Sequence, residues 1–128
     1  MVHNKFKLLS VIKMFSPYEK IILSRLMAVF STVSDILQIV VFGSRSRGDS
    51  NESSDLDIMV LVKEKNSTAL QTIQSLKAKA LTDVEDFSYV NLFPVRESEF
   101  YSSRSAFQQR VQREGIIIWS RKELNLST

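Results

Sequence analysis

Apolar and polar residues alternate along the chain in two periods, and the switches between them outline a small α/β domain. Ser16-Pro17-Tyr18-Glu19 reads as a helix capping box with proline at the first helical position. The apolar residues that follow, Ile22, Leu26, Val29, Phe30 and Val33, fall at helical steps of three and four. Residues 5–15 suggest a shorter helix ahead of it. Ile39 to Phe42 is a β-rich run stopped by Gly43, which predicts a strand. Residues 44–54 have loop chemistry. Ile58 to Val62 is unbroken apolar sequence of strand length, as in an interior strand covered on both faces.

The second half continues the pattern. Ala69, Leu70, Ile73, Leu76, Ala80 and Leu81 give one apolar side to a helix over 66–81. Phe87 to Phe93 predicts a third strand, closed by Pro94. Phe100, Arg104, Phe107 and Val111 step by 4, 3 and 4, so residues 97–114 read as one helix with Gly115 at its C′ position. Phe100, Phe107 and Trp119 are most simply core residues. Ile116 to Trp119 is a last short strand. The predicted order is helix, strand, strand, helix, strand, helix, strand. It implies an α/β (α+β) domain with a small sheet backed by helices.

Composition narrows the class of protein. The 128 residues suit a single domain, 1–128, with a hydrophobic share of 44% and a charged share of 24%. Cysteine is absent, so disulfides and thiolate zinc sites are excluded and a reducing compartment fits. The one histidine, His3, lies near the chain start, which argues against histidine-centred catalysis. No apolar run approaches the ~20 residues of a membrane span, and residues 1–10 lack the pattern of a signal peptide. A cytoplasmic protein without a membrane partner is expected. The net charge of +3, from 17 Lys+Arg against 14 Asp+Glu, is compatible with a polyphosphate or nucleic-acid ligand and is also ordinary.

Candidate chemistry is concentrated in Gly43 to Val62, which holds two of the three glycines. Asp55 and Asp57 are two apart at a strand start, so both carboxylates project to one face. Such a pair repels itself unless a cation lies between, and its hard oxygens suit Mg²⁺ shared with phosphate. At the other end of the segment, Gly43 permits a sharp turn after a strand, and the Ser44 hydroxyl and the following amides can donate to phosphate oxygens. Arg45 and Arg47 can neutralise further charge. Phosphate donors facing metal ligands are what phosphoryl or nucleotidyl transfer requires. A calcium loop over Asp49 to Asp57 is disfavoured, because Ser54 and Val60 stand where glycine and glutamate belong. Arg47-Gly48-Asp49 is incidental as an adhesion tripeptide. Lys63, Lys65, Lys77 and Lys79 are read as a solvated face.

Gly43-Ser44, ten residues, then Asp55-Leu56-Asp57 resembles the signature of the DNA polymerase β nucleotidyltransferase superfamily, and most of all its minimal nucleotidyltransferase (MNT) branch. The Arg-Ser-Arg-Gly-Asp filling is similar to that branch, and Arg113-Glu114-Gly115-Ile116 resembles a closing turn of these domains. The likeness is strongest over 38–62 and extends over 17–120. It implies a mixed sheet with the site at one edge, two Mg²⁺ ions (or Mn²⁺ in their place), and ATP or another nucleoside triphosphate as substrate. A nucleoside monophosphate would pass to an acceptor hydroxyl with release of pyrophosphate. Asp55 and Asp57 would hold metal, and Gly43 and Ser44 phosphate. The family's third carboxylate lies on the next long strand, where the equivalent position is Asn91. Asp83, Glu85 and Asp86 precede that strand and can stand in if it starts later. Many MNT proteins pair with a helical HEPN-type partner as antitoxins, some adenylylating it. The resemblance thus leaves two roles: an enzyme, or a catalytically weak regulator that binds such a partner. An oligomer or a partner would supply the acceptor pocket.

Overall fold

The structure is a computed structural model that describes residues 15–43, 55–64, 66–84 and 89–121. The expected helix before residue 15, the loop 44–54, Lys65, Glu85 and Asp86 lie outside these residues, Phe15 apart. Among the described residues the elements are α1 (Pro17–Phe30), β1 (Ile36–Phe42), β2 (Leu56–Val62), α2 (Ser67–Ala80), β3 (Val90–Arg96), α3 (Glu97–Ser102), α4 (Ala106–Glu114) and β4 (Ile116–Ser120). The sheet has four strands in the order β3-β2-β1-β4. β1 runs antiparallel to both β2 and β4, whereas β2 and β3 are parallel, so the sheet is mixed. The parallel pair needs a crossover, which α2 supplies.

The two faces of the sheet are packed differently. On one face Ile39, Val41, Leu56, Ile58, Val60, Val90, Leu92, Ile116 and Ile118 meet Ile22, Leu26 and Phe30 of α1 and Ile73 of α2. On the other, Val40, Phe42, Met59, Leu61 and Val95 meet Phe100 of α3 and Val111 of α4. All of Ile58 to Val62 is buried, as a strand covered on both sides requires. Helix α1 begins with the expected capping box. The Glu19 amide donates to Ser16 Oγ at 3.1 Å, and the Ser16 amide donates to Glu19 Oε1 at 2.9 Å.

Several expectations change. β3 begins at Val90, after Tyr89 in a turn, and runs through Pro94 to Arg96; Phe87 and Ser88 of the expected strand lie outside the described residues. Proline is tolerated because β3 is an edge strand and only alternate residues turn their backbone groups to β2. The Tyr89 carbonyl faces β2, accepting from the Leu56 amide at 2.9 Å. The Val90 carbonyl faces away and accepts from Lys77 Nζ at 2.6 Å. Pro94 shares the parity of Val90, so its missing N–H falls on the open edge. Lys77, read as part of a solvated face, therefore covers that edge, and the accompanying burial lowers its pKa.

Residues 97–114 are two helices, not one. Ser105 caps the second, its side chain accepting from the Gln108 amide at 3.3 Å. Gly115 has φ −67°, not the left-handed conformation expected of a C′ glycine. Glycine is required there by space. A Cβ would lie 2.5 Å from the Val111 carbonyl oxygen and 2.7 Å from Val40 Cγ1. Finally, Phe107 is 52% exposed and not a core residue, whereas Phe100 is 2% exposed.

Candidate active site

The described candidate residues, Gly43, Asp55, Asp57 and Asn91, converge at one end of the second face. The pairing register places Phe42 opposite Asp57 and Asp57 opposite Asn91. One rung of the sheet therefore joins the last residue of β1 to the second residues of β2 and β3. Asp57 follows buried Leu56, and Asp55 precedes it, so strand alternation puts both carboxylates on the face away from α1 and α2. Asp55 is exposed and Asp57 half-buried.

Asn91 joins the two. Its Nδ2 donates to Asp55 Oδ2 at 3.1 Å and to Asp57 Oδ1 at 3.1 Å. An oxygen from each carboxylate thus sits within hydrogen-bond reach of one nitrogen. Of the alternatives to Asn91, Asp83 is paired with Arg25 of α1, away from this cluster. Tyr89 packs against the larger core.

Gly43 completes the described site. Its φ of +78° is the left-handed backbone that side-chain-bearing residues rarely adopt. A Cβ there would lie 3.0 Å from Asp57 Oδ2, so the turn backbone and the carboxylate are in close approach. The sequence reading had glycine making the turn; it did not reveal that the turn lies against Asp57. Ser44, Arg45 and Arg47 fall outside the described residues.

Beside the carboxylates lies an aromatic ledge that includes Phe107, a residue expected in the core. Phe42 meets Phe93 and Phe107 edge-on, with ring centroids 5.4 and 5.6 Å apart. Phe93 is 41% exposed and shares the face of Asn91, two residues before it. The signal for this lay in Ser105-Ala106-Phe107-Gln108, a second helix start that moves Phe107 off the helical repeat begun at Phe100. A cleft of about 170 Å³ lined by Val33, Asp35, Asn66 and Ile73 lies at the opposite end of the strands.

The donor set suits a hard divalent cation. Two carboxylates at one strand mouth converge and are joined by an amide, and hard oxygen donors of this kind suit a cation shared with phosphate. Among the described residues no cluster of three Asp, Glu, His or Cys side chains is present, so an acid does not complete the set there.

The family model described as polymerase beta, nucleotidyltransferase matches residues 24–124. The chain belongs to this nucleotidyltransferase family. No curated protein matches it. Solved structures share the fold. A Sulfolobus solfataricus protein described as a nucleotidyltransferase is 20% identical, with a TM-score of 0.51 over 94% of this chain and 89% of that one. A chain from a toxin–antitoxin complex with AMP-PNP is 23% identical, with a TM-score of 0.52 over 83% of this chain and 77% of that one. A chain from an Asp-to-Glu double mutant of the toxin–antitoxin MntA-HpeT is 21% identical, with a TM-score of 0.52 over 88% and 80% of the two. Among the described residues no helix is long and apolar enough to cross a membrane.

Proposed function

We propose that this chain is a divalent-metal-dependent nucleotidyltransferase that moves a nucleoside monophosphate, AMP from ATP in the favoured case, onto a hydroxyl of a protein or small-molecule acceptor. The observation that carries this reading is the rung Phe42–Asp57–Asn91 with Asp55 beside it. It gathers two carboxylates at a strand mouth directly against the positive-φ turn at Gly43. Asp55 and Asp57 would hold Mg²⁺. When bound, the cation neutralises phosphate oxygens and favours departure of pyrophosphate. The Gly43 turn, having no side chain, leaves the backbone open to a phosphate, and Ser44, Arg45 and Arg47 would supply donors and positive charge.

In the transfer the acceptor oxygen bonds to the α-phosphorus, the bond to the pyrophosphate oxygen breaks, and the acceptor hydroxyl loses a proton. Asn91 cannot take that proton, because an amide is not basic at neutral pH. The proton passes instead to another base within reach, to solvent, or to a group supplied by the acceptor or a partner.

The test is incubation with Mg²⁺, labelled ATP and candidate acceptors. Label should pass to the acceptor, and Asp57→Asn should reduce transfer by at least about 10²-fold, since it removes a negatively charged ligand from the cation that neutralises the phosphates. Transfer unaffected by Asp57→Asn would refute the assignment.

A second reading is favoured by Asn91 and by the toxin–antitoxin complexes among the structural relatives. Here the domain is a catalytically weak antitoxin that binds a helical, HEPN-type partner by contact. Partner binding that is independent of metal, with no label transferred, would support it.

A further inference from the structure

We infer that Asn91 is a positioning residue that holds the two carboxylates together in the metal-free protein and limits the site to one tightly held divalent cation, where the resemblance implies two. The inference rests on the transferase reading above and specifies its metal requirement. Three observations carry it. Asn91 is fixed opposite Asp57 by the parallel β2–β3 register, so its position does not depend on a loop. Its amide nitrogen, not its oxygen, faces the acids, at 3.1 Å from each. The clustered groups therefore supply the charge of two carboxylates only, and no third acid joins them among the described residues.

The physical consequence follows from charge. Two adjacent carboxylates repel one another, and in a three-carboxylate site only cations relieve this. Here two N–H groups of a neutral amide do part of that work, each as a hydrogen bond to an ionised acceptor. Without a cation the pair is thus held together in part by the amide. A cation entering the pair must compete with the amide or turn its oxygen inward, and an amide oxygen brings no negative charge. The first ion can draw the rest of its ligands from the triphosphate and water. A second ion lying about 3.5–4 Å away would have to share the same two carboxylates with its neighbour.

The experiment is a Mn²⁺ titration of the full chain with AMP-PNP, followed by electron paramagnetic resonance, on the native protein, Asn91→Asp and Asn91→Ala, with thermal melts of each in chelator and in Mn²⁺. The native protein should take one Mn²⁺ per chain. Asn91→Asp should take a second, and its first should bind at least about tenfold tighter, because ligand charge sets affinity. Metal-free Asn91→Asp should melt about 3–6 °C below the native protein, and Mn²⁺ should restore it. Asn91→Ala removes the donor without adding charge. It should also melt lower in chelator, but it should bind only one Mn²⁺.

A second Mn²⁺ in the native protein, or none gained by Asn91→Asp, would overturn the inference while leaving the transferase reading standing. So would an Asn91→Ala protein that matches the native melt in chelator. Failure of the native protein and of Asn91→Asp to bind either Mn²⁺ or AMP-PNP would remove the transferase reading and this inference with it.

Discussion

The two faces of the sheet are made of the same four strands and do opposite work. The face under α1 and α2 is apolar from end to end, from Val90 and Leu56 to Ile39 and Ile116. The other face is apolar only in its middle, where α3 and α4 lie on it. At the strand mouth it carries Asp57 and Asn91, and Phe93 and Phe107 stand half exposed beside them. Two helices of fourteen residues each cover the first face. Helices of six and nine residues cover the second. Shorter helices bury less surface, so the second face contributes less stability and keeps open ground next to its acids. The lesson is a division of labour. Stability is concentrated on one side so that the other can hold like charges together.

The largest expected effect tests that division directly. Phe30, the last residue of α1, is fully buried against the first face, and Phe30→Ala should cost about 3–5 kcal/mol, read by urea denaturation. Phe107→Ala on the open face should cost under about 1 kcal/mol, since half its surface is already in water. Equal losses would break the comparison.

A smaller effect is expected where backbone and chemistry meet. Gly43→Ala forces a side chain into a positive-φ turn and against Asp57 Oδ2. It should cost about 1–2 kcal/mol of stability. It should also weaken Mn²⁺ binding, because the carboxylate is the part that can move. An intact Mn²⁺ affinity would show that the turn does not govern Asp57.

The smallest effect sits at the margin of the open face. The Tyr101 hydroxyl donates to Gln38 Oε1 at 2.6 Å. Burial of Tyr101 raises its pKa above the usual value of 10.0, and the nearby Glu97 charge adds to the rise. A raised folded-state pKa means that the tyrosine's contribution is complete below pH 10.0 and is lost as pH rises past it. Tyr101→Phe should therefore lower stability at pH 8 by less than about 1 kcal/mol. It should also flatten the fall in melting temperature between pH 9 and 11, roughly the window around an ordinary tyrosine pKa. A fall as steep as that of the native protein would assign the alkaline loss elsewhere.

Much of this was legible in the chain. The capping box at Ser16, the buried run from Ile58 and the helix over 67–80 are set by neighbours in sequence, and local propensity decides them. The same holds for the Asp55 and Asp57 alternation, which needs only that a strand begins at Leu56. Two local signals were outweighed by stronger-looking patterns. The break before Ser105 was hidden by a repeat that happened to continue across it, and Pro94 read as a strand end because nothing local says that β3 lies at an edge.

By itself, then, the sequence determined the elements, the turn glycine and a pair of acids on one face, because each depends on residues a few positions apart. Only the tertiary structure decided that Asn91 donates to both acids and that Gly43 lies against Asp57. Those contacts depend on strand register across a crossover helix and an antiparallel pair. Register is fixed by the packing of whole faces, which no short stretch of chain encodes.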